Sequence, residues 1–253
     1  MIEAYTLCSG SSGNALLVRS GDTAVLMDAG RSRRALLAAY AETGAPEIAA
    51  VFVTHEHTDH VSALAQLAKR ERLPVHAAAG TADVLARTEA VAAVLVRHGV
   101  LFTERVGALT VTSFPLPHDS ACHVGYVFSD GDGDAFCAAT DMGHVTDGVR
   151  AALAGCRGAL LEANHDVEML RCGPYPAALK ARILSDTGHL SNADCACLAR
   201  YAAERGVVHI GLGHLSAENN TPELARAAVA AALAGTAAES LTVCERASVT
   251  RIM

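Results

Sequence analysis

The densest concentration of chemistry in this chain is Thr54-His55-Glu56-His57-Thr58-Asp59-His60, which puts four potential metal ligands within six residues. His55 and His57 are two apart in extended chain, so they can point the same way and share one ion. Asp59 and His60 fall on the turn into a helix and can face a second, neighbouring ion. A solvated histidine-rich loop is the other reading. Three more candidates end later apolar runs: His118 after Phe114-Pro115-Leu116-Pro117, Asp141 after Phe136-Cys137-Ala138-Ala139-Thr140, and His214 after Val207–Leu212 and Gly213. Each alone could be a surface residue; with the first motif they reinforce one another. Two cations about 3.5–4 Å apart would share a water acidified toward neutrality, giving hydroxide as nucleophile and neutralising charge on a phosphate under in-line attack. The leaving oxygen would then need a proton, which a nearby histidine often supplies.

Rigid elements must hold these ligands, and strand ends in layered α/β proteins are where ligands collect. Ile2–Leu7 reads as a strand running into the loop Cys8-Ser9-Gly10-Ser11-Ser12-Gly13-Asn14. Strands Ala15–Arg19 and Ala24–Met27 join at Gly21-Asp22. Helical spacing over Arg31–Glu42 stops at Gly44-Ala45-Pro46. Ile48–Val53, just before the histidines, suits a strand buried on both faces. The pattern then predicts a helix from about Val61 to Arg72, a strand at Val75–Ala77 and a helix over Thr81–Thr88. Strands follow at Leu109–Phe114, Val124–Ser129 and Ala135–Ala139, the last two joined by Asp130-Gly131-Asp132-Gly133. The remainder alternates helices near Val145–Ala154, Ala177–Leu184, Asn192–Arg205 and Pro222–Ala234 with strands at Ala159–Glu162, Val207–Leu212, Leu241–Cys244 and Ser248–Ile252. No linker or low-complexity tract divides the chain, so one α/β domain over residues 1–253 is expected, with two sheets between outer helices.

Composition narrows the class. A chain of 253 residues with 51% hydrophobic content can bury a large core. Charged residues at 19% and a mean hydropathy of +0.26 fit a compact protein rather than a disordered one. Met1–Gly10 has no basic stretch leading into an apolar one; Arg97 interrupts Val91–Leu101, and Arg226 the alanine-rich C-terminal stretch. A soluble, cytoplasmic protein with no membrane partner is therefore expected. Eight cysteines form no C-x-x-C pair, and Cys195 and Cys197 would not share a helix face, so reduced, structural thiols are expected. A formal net charge of −7 argues against coating by nucleic acid through bulk electrostatics. An anionic substrate would have to bind locally, at the metals.

The order His-x-His-x-Asp-His at a strand end, followed by His, Asp and His, resembles the metallo-β-lactamase superfamily. The resemblance implies a four-layer αβ/βα sandwich of two mixed sheets flanked by helices. It implies two divalent ions, with His55, His57 and His118 on one, Asp59, His60 and His214 on the other, and Asp141 bridging. Such a donor set suits zinc, and manganese or iron would also fit. His57 stands where an oxygen-reducing di-iron branch of the superfamily carries glutamate. Longer segments, Leu161–Leu170, Ser185–Asn192, Gly211–Asn220 and the N-terminal Ser-Gly-Ser-Ser-Gly-Asn loop, are similar to the YycJ/WalJ exonuclease-like branch, a match running from residue 5 to residue 224.

That branch implies a nucleic-acid substrate, DNA, degraded 5′ to 3′. Asp59, His189 and Glu162 are its implied catalytic residues, His189 as proton donor held by Glu162. His189 could instead cap the helix beginning near Asn192. Candidate substrate contacts are Ser11, Asn14, His165, Arg171 and Asn219. The Ser/Gly loop could cradle a phosphate with its backbone N–H groups or be a plain tight turn, and His165 could line the site or be a buried structural histidine. Arg171, Lys180 and Arg182 flank Gly173-Pro174-Tyr175-Pro176, where Tyr175 could stack on a base; isolated cations on helices are more often a solvated face. His144 departs from the tyrosine expected in this branch. His76, His98, His123 and His209 read as structural or solvent-facing.

Two other functions compete. A small-molecule hydrolase of a cyclic phosphodiester, thioester or lactone could use the same two-metal site. A regulatory module with a vestigial site is disfavoured because all seven ligands are present. The stretch from Asp141 to His214 is too short for the large extra domain of some nucleases in the superfamily.

Overall fold

The computed structural model describes residues 1–253. In the first half, β1 (Ile2–Cys8), β2 (Ala15–Ser20), β3 (Thr23–Met27), β4 (Ile48–Val53), β5 (Val75–Ala78) and β6 (Leu95–His98) pair in sequence order. β1 to β3 are antiparallel and β3 to β6 parallel. The second half repeats the scheme with β7 (Thr103–Val106), β8 (Leu109–Pro115), β9 (Val124–Asp130), β10 (Ala135–Ala139), β11 (Gly158–Glu162), β12 (His209–Gly213) and β13 (Ser240–Val243). Here β7 to β10 are antiparallel and β10 to β13 parallel. The short β14 (Thr250–Arg251) returns to the first sheet beside β1.

Parallel neighbours need crossovers, and the helices supply most of them. The first half carries α1 (Arg33–Glu42), α2 (Thr58–Val61), α3 (Leu64–Arg70), α4 (Ala79–Leu85) and α5 (Glu89–Ala92). The second carries α6 (Asp147–Leu153), α7 (Val167–Cys172), α8 (Ala177–Ile183), α9 (Asn192–Ala203) and α10 (Pro222–Leu233). Polar N-caps fix several starts: Thr146, Asp166, Ser191 and Thr221 each accept a backbone N–H of the first turn, with Pro222 opening α10.

Three hydrophobic clusters separate four layers. Phe52, Tyr126, Phe128 and Phe136 fill the space between the sheets. Leu36, Leu64 and Leu67 pack helices on the first sheet, and Val149, Leu198, Ala199 and Val229 pack helices on the second. The period-two rule is visible within single strands: on β4, Ala50 and Phe52 face the other sheet while Val51 and Val53 face helices. On β10, Phe136 and Ala138 face inward and Cys137 and Ala139 outward. Each large side chain so buried contributes about 1.5–3 kcal/mol, and the strands that carry the site are rigid on both faces.

The sequence pattern differs from the structure at edges and breaks. The helix expected from Val61 to Arg72 is two short helices. It begins earlier, at Thr58, so that Asp59 and His60 sit in its first turn, and it breaks where the Ala63 N–H turns to the Ala29 carbonyl (2.8 Å). The apolar run Val91–Leu101 divides between α5 and the edge strand β6; the edge strand β7 and the one-and-a-half-turn α7 had no clear pattern. Ser248–Ile252 contracts to Thr250–Arg251. No helix is long and apolar enough to cross a membrane.

Candidate metal centre

All of the ligand candidates collect at the carboxyl ends of strands. Asp28 follows β3, Thr54 and His55 follow β4, Asp141 follows β10, Glu162 ends β11 and His214 follows β12. Three of them adopt left-handed backbone: Asp28 (φ 64°), Asp141 (φ 62°) and His214 (φ 55°). A non-glycine residue there costs about 1–3 kcal/mol and persists only where its surroundings over-determine it. The left-handed turn re-aims each side chain from the strand into the crevice between the sheets.

The rings of His55, His60, His118 and His214 are each anchored through Nδ1. His60 Nδ1 donates to Asp28 Oδ2 (2.7 Å). Thr54 Oγ1 donates to the same carboxylate (2.8 Å) and in turn accepts from His55 Nδ1 (3.0 Å). The Thr54 N–H donates to Asp28 Oδ1 (2.8 Å), so one buried carboxylate sets the orientation of two rings. His118 Nδ1 donates to the Gly188 carbonyl (3.1 Å), and His214 Nδ1 to Glu162 Oε1 (3.0 Å). This is the arrangement that presents Nε2 to a metal.

The opposite atoms converge, and several lack protein partners. His55 Nε2, His214 Nε2 and Asp141 Oδ2 are buried with no hydrogen bond. His60 Nε2 lies 3.3 Å from Asp141 Oδ2 and 3.5 Å from Asp59 Oδ2, and His214 Nε2 lies 3.5 Å from Asp59 Oδ2. Donor atoms of His55, His60 and Asp141, of Asp59, His60 and His214, and of His57, His118 and Asp119 form groups within 4.8 Å. Orphaned buried donors of this chemistry, at this spacing, fit divalent cations.

Electrostatics follow from the crowding. Burial holds His55 and His118 below the usual histidine range, which favours the neutral, ligating ring. His60 goes the other way: burial opposes its charge, but Asp141 and Asp28 outweigh it and push it up to about 10. Burial also opposes charge on His214, and Asp141, Asp59 and Glu162 together raise it well above the ordinary value. Burial likewise opposes charge on Asp59 and Glu162, yet Asp59 is depressed by His214 and His60, and Glu162 by His189 and His214. In the metal-free chain, protons on two histidines balance the carboxylates that cations would otherwise neutralise.

The N-terminal loop braces this cluster. Ser9 Oγ accepts the His214 N–H (2.8 Å), and Asn14 Nδ2 reaches Asp59 Oδ2 (3.3 Å) and His60 Nε2 (3.1 Å). The N–H groups of Gly10, Gly13 and Asn14 are spent on Asn14, Gly10 and Asp59, so they are not free to cradle a phosphate. Gly30 permits the close packing: a Cβ there would stand 1.7 Å from the Asp59 carbonyl oxygen.

A cavity of about 530 Å³ opens over the cluster. His57, Asp59, His118, Asp141, His189 and His214 form its floor, while His55 and His60 lie buried beneath. His189 Nδ1 contacts Glu162 Oε1 (2.8 Å), whose other oxygen accepts from the Met142 and Leu190 N–H groups. Ser191, not His189, caps α9. Of the expected substrate contacts only Ser11 lines the cavity. Asn14 braces the ligands; Asn219 is buried against Ser216; His165 is buried behind the site with both ring nitrogens unpaired; Arg171 is exposed and pairs with Glu168. The loops of Asn14, His165 and Asn219 fold inward and the helix face of Arg171 turns to solvent, so none of the four lines the cavity. His144 is exposed, donates from Nδ1 to the Asp186 carbonyl (2.9 Å), and lines a different cavity.

Several site residues carried no assigned role in the sequence reading. Asp28 had a usable signal, since it ends the apolar run Ala24–Met27 as Asp141 ends its own. Asn164, which lines the cavity and donates to the His214 carbonyl (2.9 Å), had none. His123 stacks on His55 with centroids 4.4 Å apart, fully buried, nearer the centre than a bland structural reading suggested. Of the other three histidines, His76 and His98 stack in series beside Phe52, and His209 meets Ser240.

Residues 23–212 match the family described as the beta-lactamase superfamily domain. The chain is 37% identical to a protein of Bacillus anthracis named exodeoxyribonuclease YycJ, over 90% of this chain and 87% of that one. It is 38% identical to exodeoxyribonuclease WalJ of Streptococcus pneumoniae, over 87% and 83%. Among solved structures, the metallo-β-lactamase fold protein YhfI from Bacillus subtilis superposes with a TM-score of 0.73 at 16% identity, covering 99% of each chain.

Two outcomes are expected at this centre. Asp28→Asn removes the acceptor shared by Thr54 and His60 and should weaken metal binding about 10–100-fold, read as metal retained against a chelator. Loading metal must also displace the protons on His60 and His214, whose values lie above the ordinary 6.5. Calorimetry in buffers of different ionisation enthalpy should show proton release near neutrality. Affinity should fall on going from about pH 8 to about pH 6, because the protons that binding must release compete more strongly as their concentration rises.

Proposed function

The chain belongs to the beta-lactamase superfamily and is a metal-dependent hydrolase of ester bonds; we propose that it shortens DNA from an end, as a 5′-to-3′ exonuclease. The observation that carries this reading is His189, standing on the cavity floor beside Asp141 with its Nδ1 2.8 Å from the buried Glu162 carboxylate. A sugar alkoxide is a poor leaving group and needs a proton in the transition state, whereas a thiolate does not. A positioned imidazole at that spot therefore favours a phosphodiester over a thioester. The names of the two curated relatives support the same substrate class.

The chain's residues divide the work. His55, His57 and His118 would hold one divalent ion and Asp59, His60 and His214 the other, with Asp141 between them; the donor set suits zinc or manganese. When bound, the ions would supply an acidified water and positive charge for the phosphate oxygens. Asp59 and Asp141, with their carboxylates at the cavity floor, orient the reacting group. His189 delivers a proton to the departing sugar oxygen, and Glu162 fixes the ring by accepting from Nδ1, leaving Nε2 toward the cavity. Glu162 also holds His214, so donor and ligand keep a common register.

End-labelled DNA and RNA, supplied with manganese or zinc, test this. Wild type should shorten DNA from the 5′ end, and Asp141→Asn and His214→Ala should abolish turnover. If no polymer is cut while a thioester or lactone turns over with the same sensitivity, the substrate assignment is wrong. His189→Ala should slow DNA cleavage by about 10²–10⁴-fold. It should slow bis(p-nitrophenyl) phosphate far less, because nitrophenolate leaves without a proton; equal losses on both would remove the donor role.

A further inference from the structure

The cavity over the cluster has 15 lining residues, and Arg182 is the one lysine or arginine among them. Its floor and rim carry Glu56, Asp59 and Asp141. Cations at the cluster would neutralise the phosphate under attack, but a flanking phosphate would meet only Arg182. On α8, Leu179, Arg182 and Ile183 fall at i, i+3 and i+4, and Tyr175 lies four residues before Leu179. All four line the cavity, so they form one stripe overlooking the cluster. The neighbouring cations turn elsewhere: Lys180 Nζ donates to the Arg171 carbonyl (2.7 Å) and Arg171 pairs with Glu168.

Arg182 is braced but not locked. Its Nη2 donates to Asp119 Oδ1 (3.0 Å), and its Nε meets the other carboxylate oxygen. Asp119 Oδ1 is in turn 3.4 Å from His118 Nε2, which ties the guanidinium to the edge of the metal cluster. The Arg182 and Asp119 side chains remain 53% and 32% exposed, so the pair itself adds little to stability. A guanidinium carries five N–H donors, and Asp119 engages two sides of the fork, leaving capacity for a phosphate at small ordering cost.

We propose that the Tyr175–Leu179–Arg182–Ile183 stripe is a polynucleotide subsite in which Tyr175 stacks on a base and Arg182, positioned by Asp119, binds the phosphate flanking the scissile one. This rests on the phosphodiesterase reading above. The apolar Leu179 and Ile183 form the floor on which the sugar between base and phosphate lies. The subsite separates a polymer from a small diester, which has neither base nor second phosphate to offer.

The experiment compares kcat and KM of the metal-loaded enzyme on a single-stranded DNA oligonucleotide and on bis(p-nitrophenyl) phosphate. Arg182→Gln should lower the ratio of kcat/KM for oligonucleotide over diester by roughly 10–100-fold, mainly through KM, and flatten the salt dependence by about 0.7. Tyr175→Leu should lower the ratio about 5–100-fold, and Tyr175→Phe should restore it. A neutral methylphosphonate at the flanking position should cost wild type the same factor as Arg182→Gln and cost that variant nothing further. A substrate change on the intact enzyme cannot be mistaken for misfolding. If the methylphosphonate is tolerated by wild type, or if the variants lose both substrates equally, the subsite is overturned while the phosphodiesterase reading stands. If wild type turns over neither substrate, the underlying reading fails as well.

Discussion

A donor atom buried without a partner is the constraint from which the rest of this structure follows. An unpaired polar atom in a dry interior costs about 1–3 kcal/mol, and the cluster holds three, on His55, His214 and Asp141. Carboxylates and imidazoles packed this closely would normally exclude one another. They coexist because protons or cations occupy the space between them, which is why His60 and His214 are raised while Asp59, Asp141 and Glu162 are depressed. Holding such a centre together falls to the surrounding fold.

The fold meets that demand by using the same device twice. Each sheet passes from antiparallel to parallel strands, and at that transition β3 and β10 both end in a left-handed aspartate, Asp28 and Asp141. The next strand then delivers further groups to the centre: Thr54 and His55, organised by Asp28, after β4, and Glu162, which holds His189 and His214, at the end of β11. The two halves differ in what they do with the carboxylate. Asp28 stays beneath the cluster and orients rings, whereas Asp141 sits among the ligands. The N-terminal loop crosses between halves, since Ser9 holds His214 of the second sheet while Asn14 holds Asp59 and His60 of the first.

Legibility in the sequence tracked this division. Strands buried on both faces, such as Ile48–Val53 and Ala135–Ala139, are continuous apolar runs bounded by polar residues, and their limits were readable. Edge strands are not: Thr103–Val106 is polar and half exposed, and nothing in its pattern separates it from a loop. Ligand candidates were legible because histidine and aspartate at strand ends are rare and clustered. Their orienting partners were harder, since Asp28 is a single aspartate whose role depends on His60, distant in sequence by a whole helix and strand. Substrate contacts were least legible. Asn14, Asn219 and His165 lie in polar loops that look accessible, but those loops fold inward to satisfy backbone groups, and only the fold reveals which face is left for a ligand.

The same geometry resolves an apparent conflict in charge. A chain of net charge −7 repels a polyanion at long range, so attraction has to be generated within a few ångströms of the reaction. Over a cavity rimmed by carboxylates, the sources available are cations at the cluster and the guanidinium of Arg182. Asp119 stands between the two, touching His118 on one side and Arg182 on the other. Were Asp119 free, its charge would oppose an incoming phosphate; paired with Arg182, it converts that repulsion into placement of the fork. With the cavity's one guanidinium confined to this spot beside the cluster, a strand threading onto the cluster would gain what one lying across the protein would not, in keeping with the proposed action from an end.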